Sequence, residues 1–289
     1  MADGRRLHLN DGPIDLIIEA FGTPTGVERA YRAAAARFDG LLDELCAELP
    51  ALRRRAGADD PPLAGAVARR MQKAVAPFAD ETFVTPMAAV AGAVADEILA
   101  TMVAAAAEAL RRAYVNNGGD IAFACAPGES FTIGLVDRPD RPGLFGTTRI
   151  GHADGIGGVA TSGARGRSFS LGIADAVTIL ARDAAEADAA ATIVANAVDL
   201  PGDPRIIRTP ARALQPDSDL GDMLVTRAVP ALAPDDVEAA LAAGVALAES
   251  LVARGLIAAA ALHLQGASRT TASARLPTAP SLTSGGVHA

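Results

Sequence analysis

The chain has 289 residues, half of them apolar but only 3% aromatic, with no tryptophan and a net charge of −8 at pH 7. That length can bury a sizeable core built from small side chains, and the acidic balance excludes the basic face that nonspecific nucleic-acid binding needs. Cys46 and Cys125 are too few for a disulfide framework or a zinc site and fit a reducing compartment.

Taken in order, Asn10-Asp11-Gly12 lies between two apolar runs and predicts an opening hairpin. Residues 1–12 carry two arginines without an apolar stretch behind them, so no signal segment is read there and a cytoplasmic protein is expected. A helix is predicted over 26–49, with Val27, Tyr31, Ala34, Phe38, Leu41 and Leu45 as its apolar stripe. Arg53, Arg54 and Arg55, followed at once by Asp59 and Asp60, read as a solvated loop. A short helix over 63–75 precedes a longer one that starts at Thr85-Pro86 and runs to about Arg112. Asp96, Glu97 and Glu108 interrupt that apolar segment, which marks it as a core helix and not a membrane span.

Strands are predicted up to Ala124, over 131–136, over 146–150 and over 174–180, with a loop over 161–170 and a helix over 183–198. Residues 199–219 read as an irregular excursion, followed by a helix over 235–254 and a strand over 256–264. The tail from 267 to 289 is polar and expected to be disordered.

The stretch Thr161–Val198 concentrates the chemistry. Thr161, Ser162, Gly163, Arg165, Arg167 and Ser168 combine loop amides with arginine forks and form the best phosphate candidate, preferred over a flexible surface loop with two solvated arginines because the spot is not acidic while the chain is. Asp175 opens an apolar strand and needs a partner, Arg167 or a metal. Asp188 and Thr192 share one helical face; spacing alone leaves open whether they are hard-oxygen ligands or exposed helix residues. Asn117, Gly118, Gly119 and Asp120 form a tight turn that would offer amides to an anion or serve only as a connection. Pro86 and Met87 read as pocket wall or packing, and His152 as loop. No P-loop, G-x-G-x-x-G after a strand, H-E-x-x-H, C-x-x-C or G-x-S-x-G is present.

Several segments in the same order resemble the UPF0280 family, relatives of the flavin-transferring ApbE proteins. They are Ile14-Asp-Leu-Ile-Ile-Glu-Ala, Thr85-Pro-Met-Ala-Ala-Val-Ala-Gly, Asn116-Asn-Gly-Gly-Asp, Thr161-Ser-Gly, Ser168-Phe-Ser-Leu-Gly-Ile-Ala-Asp-Ala-Val-Thr and Ala187-Asp-Ala-Ala-Ala-Thr, together spanning roughly residues 14–198. The resemblance implies an α+β, ApbE-like layered fold over residues 1–266, with mixed or antiparallel sheets packed against helices. It implies Mg²⁺ at Asp188 and Thr192, and FAD, FMN or a pterin as a phosphorylated ligand held by the loop and turn residues named above. Small-residue helix faces would serve a homodimer. The His-x-x-Asp-Pro element of the flavin transferases is absent, since no histidine lies between His152 and His263. Two readings follow: a Mg²⁺-assisted transferase, or a cofactor-binding or assembly protein without transfer chemistry. UPF0280-like proteins occur in methanogens and methylotrophs, so the resemblance implies a part in making tetrahydromethanopterin, compatible with either reading.

Overall fold

The computed structural model describes residues 4–57, 59–136, 144–166 and 168–272. The opening hairpin forms as predicted: β1 (Leu7–Asp11) returns as β2 (Ile14–Gly22) around Gly12, whose φ of 54° a glycine adopts without a side-chain clash. Along β2, Ile14, Leu16, Ile18 and Ala20 are buried and their neighbours are not, the period of two that fixes which face meets the core.

Helix α1 (Pro24–Phe38) starts where Thr23 Oγ1 accepts from the Gly26 amide and Pro24 takes a position needing no N–H. The single helix expected over 26–49 is in fact broken. Gly40, at φ 72°, redirects the chain into α2 (Leu41–Ala47) and the short α3 (Leu49–Leu52). The apolar spacing runs on through the break, because Leu41, Leu45 and Leu52 return to the same core. After α4 (Ala66–Val75), a 3-10 turn at Pro86–Ala89 leads into α5 (Val90–Ala106). That helix stops before the predicted Arg112, and β3 (Leu110–Asn117) occupies the difference.

The remaining strands are β4 (Asp120–Cys125), β5 (Ser130–Val136), β6 (Leu144–Gly151), β7 (Gly158–Ser162), β8 (Ala176–Ala181), β9 (Ile207–Pro210), β10 (Leu224–Ala228), β11 (Ala259–Leu264) and β12 (Ala267–Thr270). The remaining helices are α6 (Ala184–Ala197), α7 (Ala211–Leu214) and α8 (Pro234–Ala253). An eight-stranded sheet runs β1-β2-β3-β4-β7-β8-β11-β12 with each neighbouring pair antiparallel; β5–β6 and β9–β10 are separate two-stranded ribbons.

The sheet is covered on both faces. On one, Ala113, Val115, Ala122, Ala160, Val177, Ile179 and Leu262 pack under α1, α5, α6 and α8. On the other, Phe123, Val159, Leu180 and Ala259 meet Phe131 and Ile133 of the β5–β6 ribbon, where Phe131 stacks edge-on against Tyr114 and Phe123. Double coverage explains why every residue of β8 and β11 is buried, with neither strand showing the alternation expected of 174–180 from sequence.

The helical stretch Pro86–Ala109 is long and apolar enough to cross a bilayer by length and composition. In the fold it is the central helix, with Ile98 and Met102 fully buried. The expected tail boundary also moves. Ala267–Thr270 pairs with β11, and buried Thr271 accepts from the Ala260 amide at 3.1 Å, so the fold continues past 266; residues 273–289 lie outside the described residues.

Candidate functional site

Helices α5 and α6 cross at their N-terminal turns and touch at Gly92. A Cβ there would lie 2.1 Å from the Ala184 carbonyl oxygen, so only glycine permits the contact. Each helix then closes the other's N-terminus. Asp96 of α5 accepts from the Ala184 and Ala185 amides at 3.0 and 2.8 Å, and Asp188 of α6 accepts from the Gly92 amide at 3.0 Å. Both carboxylates satisfy helix amides that have no partner within their own helix.

Beside this crossing lies a cleft of about 460 Å³. Its walls are the start of α5 (Met87, Ala91), one face of α6 (Asp188, Thr192, Asn196), the segment Ser168–Leu171 and the loop Gln215–Leu220. Asp120, the first residue of β4, faces Asp188 from the sheet side. Burial foremost, and then repulsion from Asp120, push the Asp188 carboxyl well above the usual carboxylate range; the Gly92 and Ala91 amides oppose that shift. Asp120 is itself held by the Thr161 amide, which donates to its Oδ1 at 3.2 Å. The opposite rim is tethered by two bonds, Thr85 Oγ1 to Asp219 Oδ2 at 2.5 Å and Arg53 Nη2 to Asp217 Oδ2 at 2.8 Å.

Of the residues singled out from sequence, the structure brings Asp120, Ser168, Asp188 and Thr192 into this one cleft, with Met87 in its wall. It sets others apart from it. Asn117 is buried between β2 and α5, donating to the Ala91 carbonyl at 3.1 Å and accepting from the Asp15 amide at 3.4 Å. Gly118 and Gly119, at φ 66° and 118°, form the two-residue turn joining β3 to β4. The Gly119 amide donates to Asn116 Oδ1 at 2.8 Å, so the turn satisfies itself and does not present that amide to an anion. Thr161 Oγ1 pairs with Thr178 Oγ1 at 2.8 Å, and Ser162 ends β7. Gly163 allows backbone approach to Asp175, whose carbonyl would lie 2.7 Å from a Cβ.

Asp175 finds the partner its burial demands, and that partner is Arg165 at 3.2 Å, with the Gln265 amide donating to its other oxygen at 2.6 Å. This lock joins β8 to β11 and holds Arg165 away from the cleft. Arg167 lies outside the described residues. Sequence reasoning passed over Asn196, Asp217 and Asp219, and it read Arg53 as solvated loop where the structure places it in the cleft paired with Asp217. For Asn196 the signal was present, since it continues the four-residue spacing of Asp188 and Thr192. For the 217–219 loop none was, because the loop reaches the cleft only through tertiary folding. His152 forms a 3-10 turn on the surface, its Nδ1 2.8 Å from the Cys125 carbonyl.

Among the described residues no group of three or more His, Cys, Asp or Glu side chains is arranged to hold a metal ion. The donor chemistry still fits Mg²⁺. That ion takes one or two carboxylates and completes its shell with water and ligand phosphate, and Asp188, Asp120 and the Thr192 hydroxyl are hard oxygens lining the same cleft. The repulsion between the two carboxylates is what a divalent cation would relieve.

The family profile described as AbpE bacteria matches residues 1–270, and the chain belongs to that family. Curated relatives include a UPF0280 protein of Methanopyrus kandleri, 43% identical over 132 residues (45% of this chain, 48% of the relative). Another, from Methanoregula boonei, is 36% identical over 165 residues (55% and 67%). The chain spans about half the length of the first of these curated relatives. Among solved structures, the Pseudomonas stutzeri flavinyl transferase ApbE in apo form aligns over 93% of this chain and 95% of its own, at 11% identity and TM-score 0.54. A variant of the Vibrio cholerae flavin transferase ApbE aligns over 93% and 98%, at 13% identity and TM-score 0.51. At these identities the likeness shows the fold, which is ApbE-like.

Proposed function

We propose that this protein binds a phosphorylated heterocyclic cofactor or its precursor, flavin-like or pterin-like, through Mg²⁺ held by Asp188 and Thr192, and transfers part of it to an acceptor. One observation carries the reading. Asp120, Asp188, Asp217 and Asp219 line the cleft, and its single arginine among the described residues, Arg53, is already paired with Asp217. A phosphoryl group meets net negative charge there unless a cation lies between. The flavin side rests on the names of the two ApbE structures, the pterin side on resemblance to UPF0280 proteins of methanogens and the tetrahydromethanopterin they would serve. Mg²⁺ would supply charge neutralisation and orientation of the phosphate. The chain's own residues would hold it, exclude water with Met87 and Phe169, and seat the ligand along α6. A soluble cytoplasmic protein, paired with a second copy through small-residue helix faces, completes the proposal.

A second reading, binding without transfer, is favoured by the absence of histidine, lysine and cysteine from the described cleft, which leaves only carboxylates to move a proton. Incubation with FAD, Mg²⁺ and a threonine-bearing acceptor, followed by mass spectrometry, separates the two. Covalent flavin supports transfer. No product, beside a working ApbE control and with Mg²⁺-dependent binding intact, supports the binding reading. Absence of Mg²⁺-dependent binding in calorimetry with FMN and with a pterin phosphate refutes both.

A further inference from the structure

A second cavity, of about 630 Å³, adjoins the cleft and shares three wall residues with it: Leu171, Ile193 and Asn196. Its far walls carry Phe78, Met223 and Leu247 beside Glu81 and the Asp199–Arg208 ion pair. The shared residues therefore form a waist between the two compartments. Asn196 is the polar member of that waist. It sits two turns along α6 from Asp188, on the same face, which places it roughly 12 Å away along the helix axis.

The waist is built to hold still. The Leu171 amide donates to Asn196 Oδ1 at 2.9 Å, and the Ser170 hydroxyl lies 3.4 Å from both that oxygen and the Gly172 carbonyl, sharing its one proton between them. The Leu171 carbonyl accepts from Arg208 and from Thr226 Oγ1, and the Ser170 carbonyl accepts from the Thr226 amide at 2.8 Å. Gly172 lets this segment lie against α6, since a Cβ there would stand 2.1 Å from the Ala195 carbonyl. An amide whose oxygen is fixed by backbone and hydroxyl donors has its orientation fixed too. Its Nδ2 is thereby left as a donor with no partner among the described residues.

We propose that Asn196 selects the ring of the bound cofactor. Its Nδ2 donates to a carbonyl oxygen of a planar heterocycle seated against Leu171 and Ile193, while the phosphate end lies at Asp188. This rests on the reading of the cleft given above and adds a requirement to it: the ring presents an acceptor, not a donor, toward α6. A ring that offers only donors there leaves both groups unpaired in a desolvated slot and is rejected.

Asn196→Asp isolates the donor, because a carboxylate still accepts from Leu171 and Ser170 but gives nothing to the ligand. Calorimetry with Mg²⁺ would use FMN and neopterin phosphate as ring-bearing probes and ribose 5-phosphate as a probe without a ring. We expect N196D to weaken the ring-bearing probe that binds by about tenfold or more, as loss of one buried hydrogen bond implies. Ribose 5-phosphate, which meets only the added charge roughly 12 Å from Asp188, weakens by much less. In wild type, the Asn196 side-chain amide resonances shift on titration with the ring-bearing probe and not with ribose 5-phosphate, a readout that does not depend on the variant folding. Equal weakening of all probes, or none, overturns the inference while leaving the cleft reading intact, provided Asp188→Ala abolishes Mg²⁺-dependent binding. A wild-type protein that binds no probe refutes both.

Discussion

Replacing Gly92 with alanine tests the helix crossing on which the site depends. Judged by propensity alone, G92A should stabilise α5 by about 1 kcal/mol, since alanine is the better helix former. The structure predicts the opposite sign. The new methyl carbon would meet the Ala184 carbonyl oxygen at 2.1 Å and the Ala185 amide nitrogen at 2.7 Å, both backbone atoms that no rotamer change can move. To reach ordinary contact the helices must part by roughly 1 Å, an overpacking strain of about 1–3 kcal/mol. Parting also lengthens the three carboxylate bonds that cross the interface, from Asp96 to Ala184 and Ala185 and from Asp188 to Gly92, each contributing about 1–2 kcal/mol. The net expectation is a loss of roughly 4 kcal/mol after the propensity gain is credited. Urea unfolding followed by far-UV circular dichroism reads it, with serine at the same position expected to be at least as damaging. A G92A protein as stable as wild type would refute the argument that this backbone contact sets the spacing of α5 and α6.

Asp188→Asn should abolish Mg²⁺-dependent binding of FMN in calorimetry yet leave the metal-free protein at neutral pH as stable as wild type or more so, because burial and Asp120 already disfavour its charged form; a large drop in melting temperature would contradict this. Burial, and secondarily Asp183, push Asp96 up to about 7, so between pH 4 and 7 the folded chain holds a proton that the unfolded chain has released. Its contribution to stability therefore falls as pH rises through that window, by up to about 4 kcal/mol, and levels off above it. Asp96→Asn should flatten that part of the profile of urea midpoint against pH, and an unchanged slope would reassign it to other groups. Arg165→Ala should cost about 1–2 kcal/mol by stranding buried Asp175, moderated by the partial exposure of Arg165, and leave FMN affinity unchanged; weakened binding would return Arg165 to the ligand site.

The parts of the fold readable from sequence were those that local chemistry dictates. Asp183 announces a helix start because its side chain accepts from an amide within one turn. The Asn-Asp-Gly turn sets its own hairpin. What escaped was fixed at a distance. Strand β7 looked like loop because Gly158 and Gly163 flank its ends, and both are required by backbone neighbours far along the chain, Asp183 and Asp175. The same limit shaped the site. Asp188 and Thr192 were legible from their spacing and family resemblance, but the competition for Arg165 between a phosphate and Asp175 was decided by β11, which delivers the Gln265 amide to the same carboxylate. The turn Asn117–Asp120 split into roles that its letters do not separate: two residues for geometry, one for anchoring, one facing the cleft.

The bond from the Gly92 amide to Asp188 turns a ligand site into something that can be heard from inside the core. Any ion that draws electron density from the Asp188 carboxylate weakens its hold on that proton, and the Gly92 resonance must move in response. Glycine amides fall in an uncrowded band of a nitrogen–proton spectrum, so occupancy of the cleft can be followed at one peak with no dye, no label at the site and no catalytic turnover. If the two helices answer together, the Ala184 and Ala185 amides on Asp96 will shift with it, and the crossing will have shown itself to be a wire as well as a brace.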